Sequence, residues 1–561
     1  MDDGTTFIYT NPFNGSWAVD PANPYNVSGQ AQSWTPKLTE EWVWGQDTIK
    51  GVNIGGWLVT EPFIVPNLYE QFQNSTPKAV DEYTLSEAMG DQLATLMEEH
   101  YSTFITEEDF AQIAAAGLNW LRIPIGFWAI STQEGEPFLE GVAWTYFLKA
   151  IEWARKYGLR ILLDFHALPG SQNGWNHSGK EGVVNWMYGV MGLANAQRSL
   201  EYMRTFTEFI SQPGIREVVP MFGLVNEVQA SVIGAANLQA FYYQAYEMIR
   251  GITGYGEGNG PIIAIHEGFM GVIPWAGFLD GADRLALDQH PYLAFWGNQN
   301  HGTWQQNVTC GWQFATNYSQ INFGITIGGE WSLAPNDCGY WLDGVDVTPQ
   351  YELQKVGSCE VWNDWENWNQ SMKDGMYSYC QAQMDVLDNW FFWTWKINNS
   401  TVVGTATSPQ WHYKLGYDQG WIPKDPRSAD GFCQRPEASY TAQSSTIFDE
   451  TYRPSQTGGV ATPTLNPAQV SSHDAWPPTS FGPSFTAAQV AFFPTYTQTG
   501  VPVTLAMPTP TGTIKPTASP TLDGWSDPTD TVGAWVSVSG CPYPPEYNAT
   551  ALSNLPTALC T

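Results

Sequence analysis

Two short segments hold the residues best suited to chemistry. LVNEV at 224–228 ends an apolar run with an Asn-Glu pair, and GGEWS at 328–332 ends another with Glu330, 103 residues after Glu227. A lone glutamate at a strand end is more often a rim ion pair than a catalyst. Two carboxyls facing one hollow can do more. They can split a bond between sugars if one keeps a proton for the leaving oxygen and the other stays charged to attack or to activate water. Whichever stays ionised needs a cation and donors beside it, and Arg122 in LRIP and Tyr292 in HPY are polar groups of that kind. His166 in DFHALPG and His290 in DQHPY close two further apolar runs. The chain has no G-x-S-x-G elbow and no H-E-x-x-H pair, so serine-hydrolase and zinc-protease chemistry lack an anchor. GWNHSGK at 174–180 imitates a phosphate-binding loop, but Glu181 stands where Ser or Thr would hold magnesium.

These residues need elements to position them. From Lys50 onward short apolar strands alternate with amphipathic helices; GVNIGGWL, LNWLRIPIG, RILLDFH, MFGLVNE, PIIAIHEG, LALDQHPY, FGITIGGEW and WFFWTWKI are the eight candidate strands. ITEEDFAQIAAAG pairs Thr106 with Asp109 in a capping-box spacing and stops at Gly117, while AWTYFLKAIEWARKYG and NLQAFYYQAYEMIRGI repeat apolar residues every three or four positions. Eight alternations predict an α/β fold, a (β/α)8 barrel, with a doubly wound sheet as the competitor. Arg122, His166, Asn226, Glu227, His290, Tyr292 and Glu330 all fall at or just past strand C-termini. A barrel gathers such positions at one rim, whereas an open sheet spreads them along an edge. The expected organisation is an N-terminal extension packed on the barrel over 1–48 and the catalytic barrel over 49–440. A disordered Pro/Thr/Ser-rich linker over 455–530 and a cysteine-containing tail over 531–561 follow.

Bulk composition narrows the partners. Against 55 acidic residues stand 23 basic ones, a net charge of -32, which excludes nucleic acid and disfavours an anionic membrane surface while tolerating a neutral sugar. With 28 Trp, 26 Tyr and 27 Phe, most rings must be core, yet the excess also suits stacking on pyranose faces. Ten Asn-x-Ser/Thr sequons and seven cysteines without a C-x-x-C pair suggest a secreted or cell-surface protein. Its N-terminus MDDGTTFIYT lacks signal-peptide features, so an export signal, or an attachment to wall or membrane, is expected upstream. Cys380 is the expected unpaired thiol, and Cys541 with Cys560 is expected to close a terminal loop.

GVNIGGWLVTEPF, LNWLRIPIGFWA, DFHALPGSQNG, LVNEV, DQHPY, GGEWS and FFWTWK, in that order over about residues 10–435, resemble the successive motifs of family 5 glycoside hydrolases. Within that family they most resemble the fungal exo-β-1,3-glucanases (glucan 1,3-β-glucosidases). The resemblance implies a (β/α)8 barrel, a retaining double displacement on β-glucan chain ends, and no metal or cofactor; a monomer is expected. It casts Glu227 as general acid/base and Glu330 as nucleophile. Asn226 matches the contact to the sugar 2-OH, His166 and His290 the histidines lining the same subsite, and Glu61 the carboxylate gripping the terminal glucose. Trp393 matches the stacking platform, with Trp395 two positions on as the other possibility. Trp175 and Asn176 stand where Phe and an acidic residue are expected, so Trp175 would form the second sugar's clamp with Phe295, and Asn176 would weaken the grip on the first. The implied disulfides are Cys310–Cys433 and Cys338–Cys359. Alternatives are another specificity on the same barrel (β-1,6-glucan, endo-action, a glycolipid glucoside or transglycosylation) and a non-catalytic β-glucan-binding wall protein.

Overall fold

The computed structural model describes residues 4–20, 23–295, 303–441, 447–471, 476–481, 485–505, 524–547 and 549–560. Eight parallel strands close into a barrel: β1 Lys50–Asn53, β2 Trp120–Gly126, β3 Arg160–Ala167, β4 Met221–Gly223, β5 Ile262–His266, β6 Leu285–Gln289, β7 Ile325–Trp331 and β8 Trp390–Phe392. The circle closes where Lys50, Gly51 and Val52 pair with Trp390, Phe391 and Phe392.

Seven of the eight strands are followed by an α-helix of the outer layer: α1 Glu107–Ala115, α2 Val142–Tyr157, α3 Gly192–Ile210, α4 Ala235–Thr253, α5 Gln313–Asn322, α6 Gln370–Leu387 and α7 Tyr413–Gln419. The strict eightfold alternation expected from sequence fails once. Between β5 and β6 only a 3-10 turn forms, Ile273–Trp275. The chain that follows the barrel fills the notch: Glu257 and Arg284 donate backbone N–H groups to the carbonyls of Gly458 and Ser455, and Asn466 N donates to Asp280 O at 3.0 Å. The α1 start is as its spacing suggests, with Asp109 Oδ2 accepting from Thr106 N at 2.9 Å. The same carboxylate accepts from Trp395 Nε1 and Lys396 Nζ, tying α1 to the chain leaving β8.

Strand periodicity explains why polar groups collect at one end. Ile49, Trp120, Leu162, Met221, Ile262, Ala286, Ile325 and Phe391 belong to one buried apolar cluster at the strand starts, capped by Trp42, Trp44 and Tyr452. Side chains two positions further along a strand return to the same face. Trp120 is thus followed inward by Arg122, Leu162 by Asp164 and then His166, and Ala286 by Asp288 and then His290.

The segment over 455–530 departs from its composition. Its described residues lie on the barrel: Phe481, Phe485, Phe493, Tyr496 and Leu505 are buried in the main core, and β9 Tyr496–Gly500 pairs antiparallel with β10 Ala534–Ser537. A composition reading counts Thr and Pro and misses how few aromatic anchors suffice. All of α3 is buried beneath this segment, and its outward charged residues find partners there. Arg198 pairs with Glu546 at 2.9 Å and Arg204 with Asp530 at 2.6 Å, while Glu208 Oε2 accepts from the backbone N–H groups of Ser526 and Asp527. Disulfides join Cys310–Cys433, Cys338–Cys359 and Cys541–Cys560, and Cys380 is free and buried. Among the described residues no helix is long and apolar enough to cross a membrane.

Candidate active site

A cavity of about 570 Å3 opens at the C-terminal ends of the strands. Ten of the residues singled out from sequence line it: Glu61, His166, Trp175, Asn176, Glu227, His290, Tyr292, Phe295, Glu330 and Trp393. Arg122 and Asn226 lie buried beside them, in contact with Glu330 and His166.

Arg122 is the electrostatic centre. Its guanidinium donates to Glu330 Oε1 at 2.9 Å, to Asn226 Oδ1 at 2.7 Å and to Asn53 Oδ1 at 3.0 Å, and it pairs with Asp164 Oδ2 at 3.1 Å. Tyr292 OH donates to the other Glu330 oxygen at 2.8 Å. Asn226, its oxygen held by Arg122, presents its amide nitrogen 3.3 Å from His166 Nε2, and His166 Nδ1 lies 2.6 Å from Asp164 Oδ2. Burial brings the imidazole of His166 down to about 4 despite Asp164, so it is neutral, donating through Nδ1 and accepting at Nε2.

Glu227 sits between two imidazoles, with His290 Nδ1 at 2.7 Å and His177 Nε2 at 3.2 Å. Burial opposes its charge, but those two hydrogen bonds hold the carboxyl well below its ordinary range. The histidines move the other way against burial: Glu330, Asp288 and Glu227 raise His290, and Glu227, Glu61 and Glu330 raise His177. Burial and the nearby Glu227 push Glu330 upward while His290 and Arg122 pull it down. Glu227, His290, His177 and Glu330 therefore hold their protons jointly, and the proton nearest the Glu227 oxygen sits on an imidazole one hydrogen bond away. Glu61, buried and near both carboxylates, is pushed up to about 8.

Backbone geometry fixes Glu227. Its φ of 48° lies in the left-handed region, unusual for a residue with a side chain, and the amides of Gln172 and Asn173 donate to the carbonyls of Asn226 and Glu227 at 2.9 and 3.1 Å. Gly329, just before Glu330, leaves room for Asp288, whose Oδ1 accepts from Gly329 N at 2.8 Å. A Cβ there would stand 2.2 Å from that oxygen.

Trp175 and Phe295 both line the cavity, each against other rings. Trp175 makes its edge contact with Phe269 at 5.4 Å, and Phe295 contacts Tyr292 and Trp411. Trp175, Phe269 and Phe295 are 40%, 46% and 55% exposed in a chain whose rings are mostly core, so they are available to a ligand. Of the two tryptophans after β8, Trp393 lines the cavity and stacks on His166 at 5.6 Å, whereas Trp395 turns to Asp109. The strand ends at Phe392, so alternation no longer governs the pair.

Sequence reasoning passed over His177, Gln172, Asn173, Asp164, Asp288, Phe269 and Trp411. The repeated D-x-H of DFH and DQH was a usable signal, because residues two apart on a strand share a face. Glu227, His266 and His290 bring possible metal-binding atoms within 4.8 Å of one another. The donor set fits a cation poorly, since His290 Nδ1 is committed to Glu227 and the ring is held protonated.

Comparison with known proteins agrees with this geometry. The family model for cellulase (glycosyl hydrolase family 5) matches residues 85–399. Probable glucan 1,3-beta-glucosidase D of Aspergillus flavus is 34% identical over 469 residues, covering 77% of this chain and 54% of that protein. The protein of the same name from Aspergillus niger is 35% identical over 464 residues, with 77% and 54% covered. The chain thus spans about half the length of the curated relatives it matches. In fold it is similar to the crystal structure of rutinosidase from Aspergillus niger, with TM-score 0.52, 19% identity, and 68% of this chain and 100% of that one covered. It is similar also to that of AoRut, with TM-score 0.53, 22% identity, and 68% and 99% covered. With a match across more than half its length, on a barrel whose fourth and seventh strands deliver Glu227 and Glu330 to one cavity, the chain belongs to glycosyl hydrolase family 5.

Proposed function

We propose that this protein is a retaining glycoside hydrolase that releases glucose from the ends of β-1,3-glucan chains, acting outside the cell in wall glucan remodelling or degradation. The observation that carries the reading is the bridge made by His290. Its Nδ1 lies 2.7 Å from Glu227 Oε1 and 3.6 Å from Glu330 Oε2, so those oxygens are at most about 6.3 Å apart. That spacing suits direct attack by one carboxylate; the inverting arrangement needs room for a water between the two. The names of the relatives support the substrate, and the three disulfides support the location.

In the first step Glu330, steadied by Arg122 and Tyr292, attacks the anomeric carbon from one face. The leaving oxygen takes the proton that His290 passes to Glu227 across their 2.7 Å contact, which leaves Glu227 ionised for the second step. Forming the glucosyl ester removes the charge of Glu330, and Glu227 then accepts a proton from the water that hydrolyses the ester. Asn226, its oxygen pinned by Arg122, offers its amide to the sugar 2-OH, and Trp393 supplies the ring beneath the sugar. Glu61, neutral below about pH 8, can both donate to and accept from the terminal hydroxyls.

A 2-fluoro-glucoside inactivator followed by peptide mapping tests the assignment. The expected label is on Glu330, with β-glucose as the first product from laminarin. A label elsewhere, or α-glucose first, overturns it. Glu227→Gln should lower kcat/KM by about 10²–10⁴ on glucan and far less on a dinitrophenyl glucoside, whose leaving group needs no proton. Equal losses on both would remove Glu227 from the acid role.

A further inference from the structure

Behind Trp175 lies a second hollow of about 540 Å3, and Gly174, Trp175 and Gly182 wall both it and the main cavity. Its own walls include Asn173, Tyr188, Gln229 and Val232 from the barrel and Thr550 from the C-terminal segment. Two features say which side of the reaction it serves. Asn173 donates to the carbonyl of Glu227 and Gln229 follows Glu227 by two residues, so the hollow adjoins the acid/base. None of its lining residues comes from the stretch 330–411, which brings Glu330, Trp393 and Trp411 to the main cavity.

Its chemistry is that of a neutral ring. Two amides, a phenol, a hydroxyl and an indole alternate with valines, and no lining side chain is charged. The wall supplied by the C-terminal segment is also built in. Ala549 O accepts from Val190 N at 2.8 Å and Ala549 N donates to Asn185 Oδ1 at 3.3 Å. Tyr547 meets Tyr83 edge to face at 5.4 Å, Glu546 pairs with Arg198, and the Cys541–Cys560 disulfide encloses Thr550.

We infer that this hollow is a subsite for a further sugar ring of the leaving chain, entered past Trp175, with the segment 541–560 as its outer wall. The inference rests on the hydrolase reading above. It assigns specificity-determining roles to Val232, Gln229 and Thr550, none of which touches the reacting atoms.

The test is the ratio of kcat/KM on a β-1,3-linked glucose tetrasaccharide to kcat/KM on an aryl glucoside. Val232→Trp fills the hollow from the barrel side, and Thr550→Trp fills it from the other. Each should lower the ratio about tenfold, chiefly through KM on the tetrasaccharide. Thr550→Trp also removes the sequon at Asn548, so Asn548→Gln serves as its control and should leave the ratio where it is. As a readout without turnover, Glu330→Gln protein should bind the tetrasaccharide more tightly than the disaccharide in calorimetry, and Val232→Trp in that background should erase the difference. If the ratio stays within twofold, or both substrates decline in parallel, the subsite is overturned while the hydrolase reading stands. If the unaltered protein cleaves neither substrate, that reading fails first and takes the subsite with it.

Discussion

Arg122 shows how much of this site depends on one fixed charge. A guanidinium surrounded by Asp164, Glu330 and the more distant Asp288, 3.9 Å from its Nε, stays protonated under any working condition. It orders the oxygens of Glu330 and Asn226 together. Asp288 has a second task, lying 3.5 Å from His290 Nε2 and helping to raise that imidazole. Asp288→Asn should therefore lower the pKa of His290, move the alkaline limb of kcat/KM to lower pH and reduce kcat on the order of tenfold. A fall in activity with the limb unmoved would make Asp288 a packing residue only. The carboxylates were legible because each closes an apolar run in a compact motif, and Arg122 because it is the one charge within the apolar run of β2, where it lies mid-strand rather than at the end expected. His177 was not: it lies in a 3-10 turn of an irregular loop, where no periodicity says which way a side chain points.

The clearest lesson among elements is α3. Its sequence, GLANAQRSLEYMRTFTEFI, places Arg198, Glu201, Arg204 and Glu208 on one stripe that reads as a solvated face. The stripe is buried, because residues 524–547 supply Asp530, Glu546 and backbone N–H groups to it. The (β/α)8 order was readable from eight apolar runs, but where a later segment docks depends on long-range pairing that local patterns do not encode. Without Asp530, Arg204 keeps Glu201 at 3.7 Å and the ring of Trp525, so Asp530→Ala should cost about 3 kcal/mol, the low end for a broken buried pair. The double variant Asp530→Leu with Arg204→Met should recover most of it. Denaturant titration followed by tryptophan fluorescence checks both, and a loss under 1 kcal/mol for Asp530→Ala would show the contact to be loose.

Across the whole molecule, buried acids tie stability to pH. Burial raises Glu61 and Glu82 to about 8, and Glu208, Glu267 and Asp343 to about 7. Each binds its proton more tightly folded than unfolded. Their stabilisation is therefore full below the unfolded values near 4 and is lost as pH climbs toward 8. His100 and His166, lowered by burial to about 4, act in the opposite sense, losing their contribution as pH falls from 6.5 toward 4. The melting temperature should accordingly peak in mildly acidic buffer. Glu82→Gln keeps an acceptor for Thr60 N, which sits 2.7 Å from Glu82 Oε2, and should flatten the decline between pH 6 and 9 in scanning calorimetry. An unchanged slope would mean that this carboxyl titrates normally in the fold.

The notch between β5 and β6 makes the boundary of the folded barrel differ from the boundary of its motifs. The recognisable motifs end with the chain leaving β8, yet the outer ring is completed only by residues 455–466, which hydrogen-bond to Glu257, Asp280 and Arg284. A fragment trimmed at 440 would keep every reacting group and still carry an open seam beside the fifth and sixth staves, with backbone donors turned to water. The smallest self-sufficient unit cut from this chain therefore reaches past Asn466, and the residues that plug its barrel lie beyond the last strand of the ring.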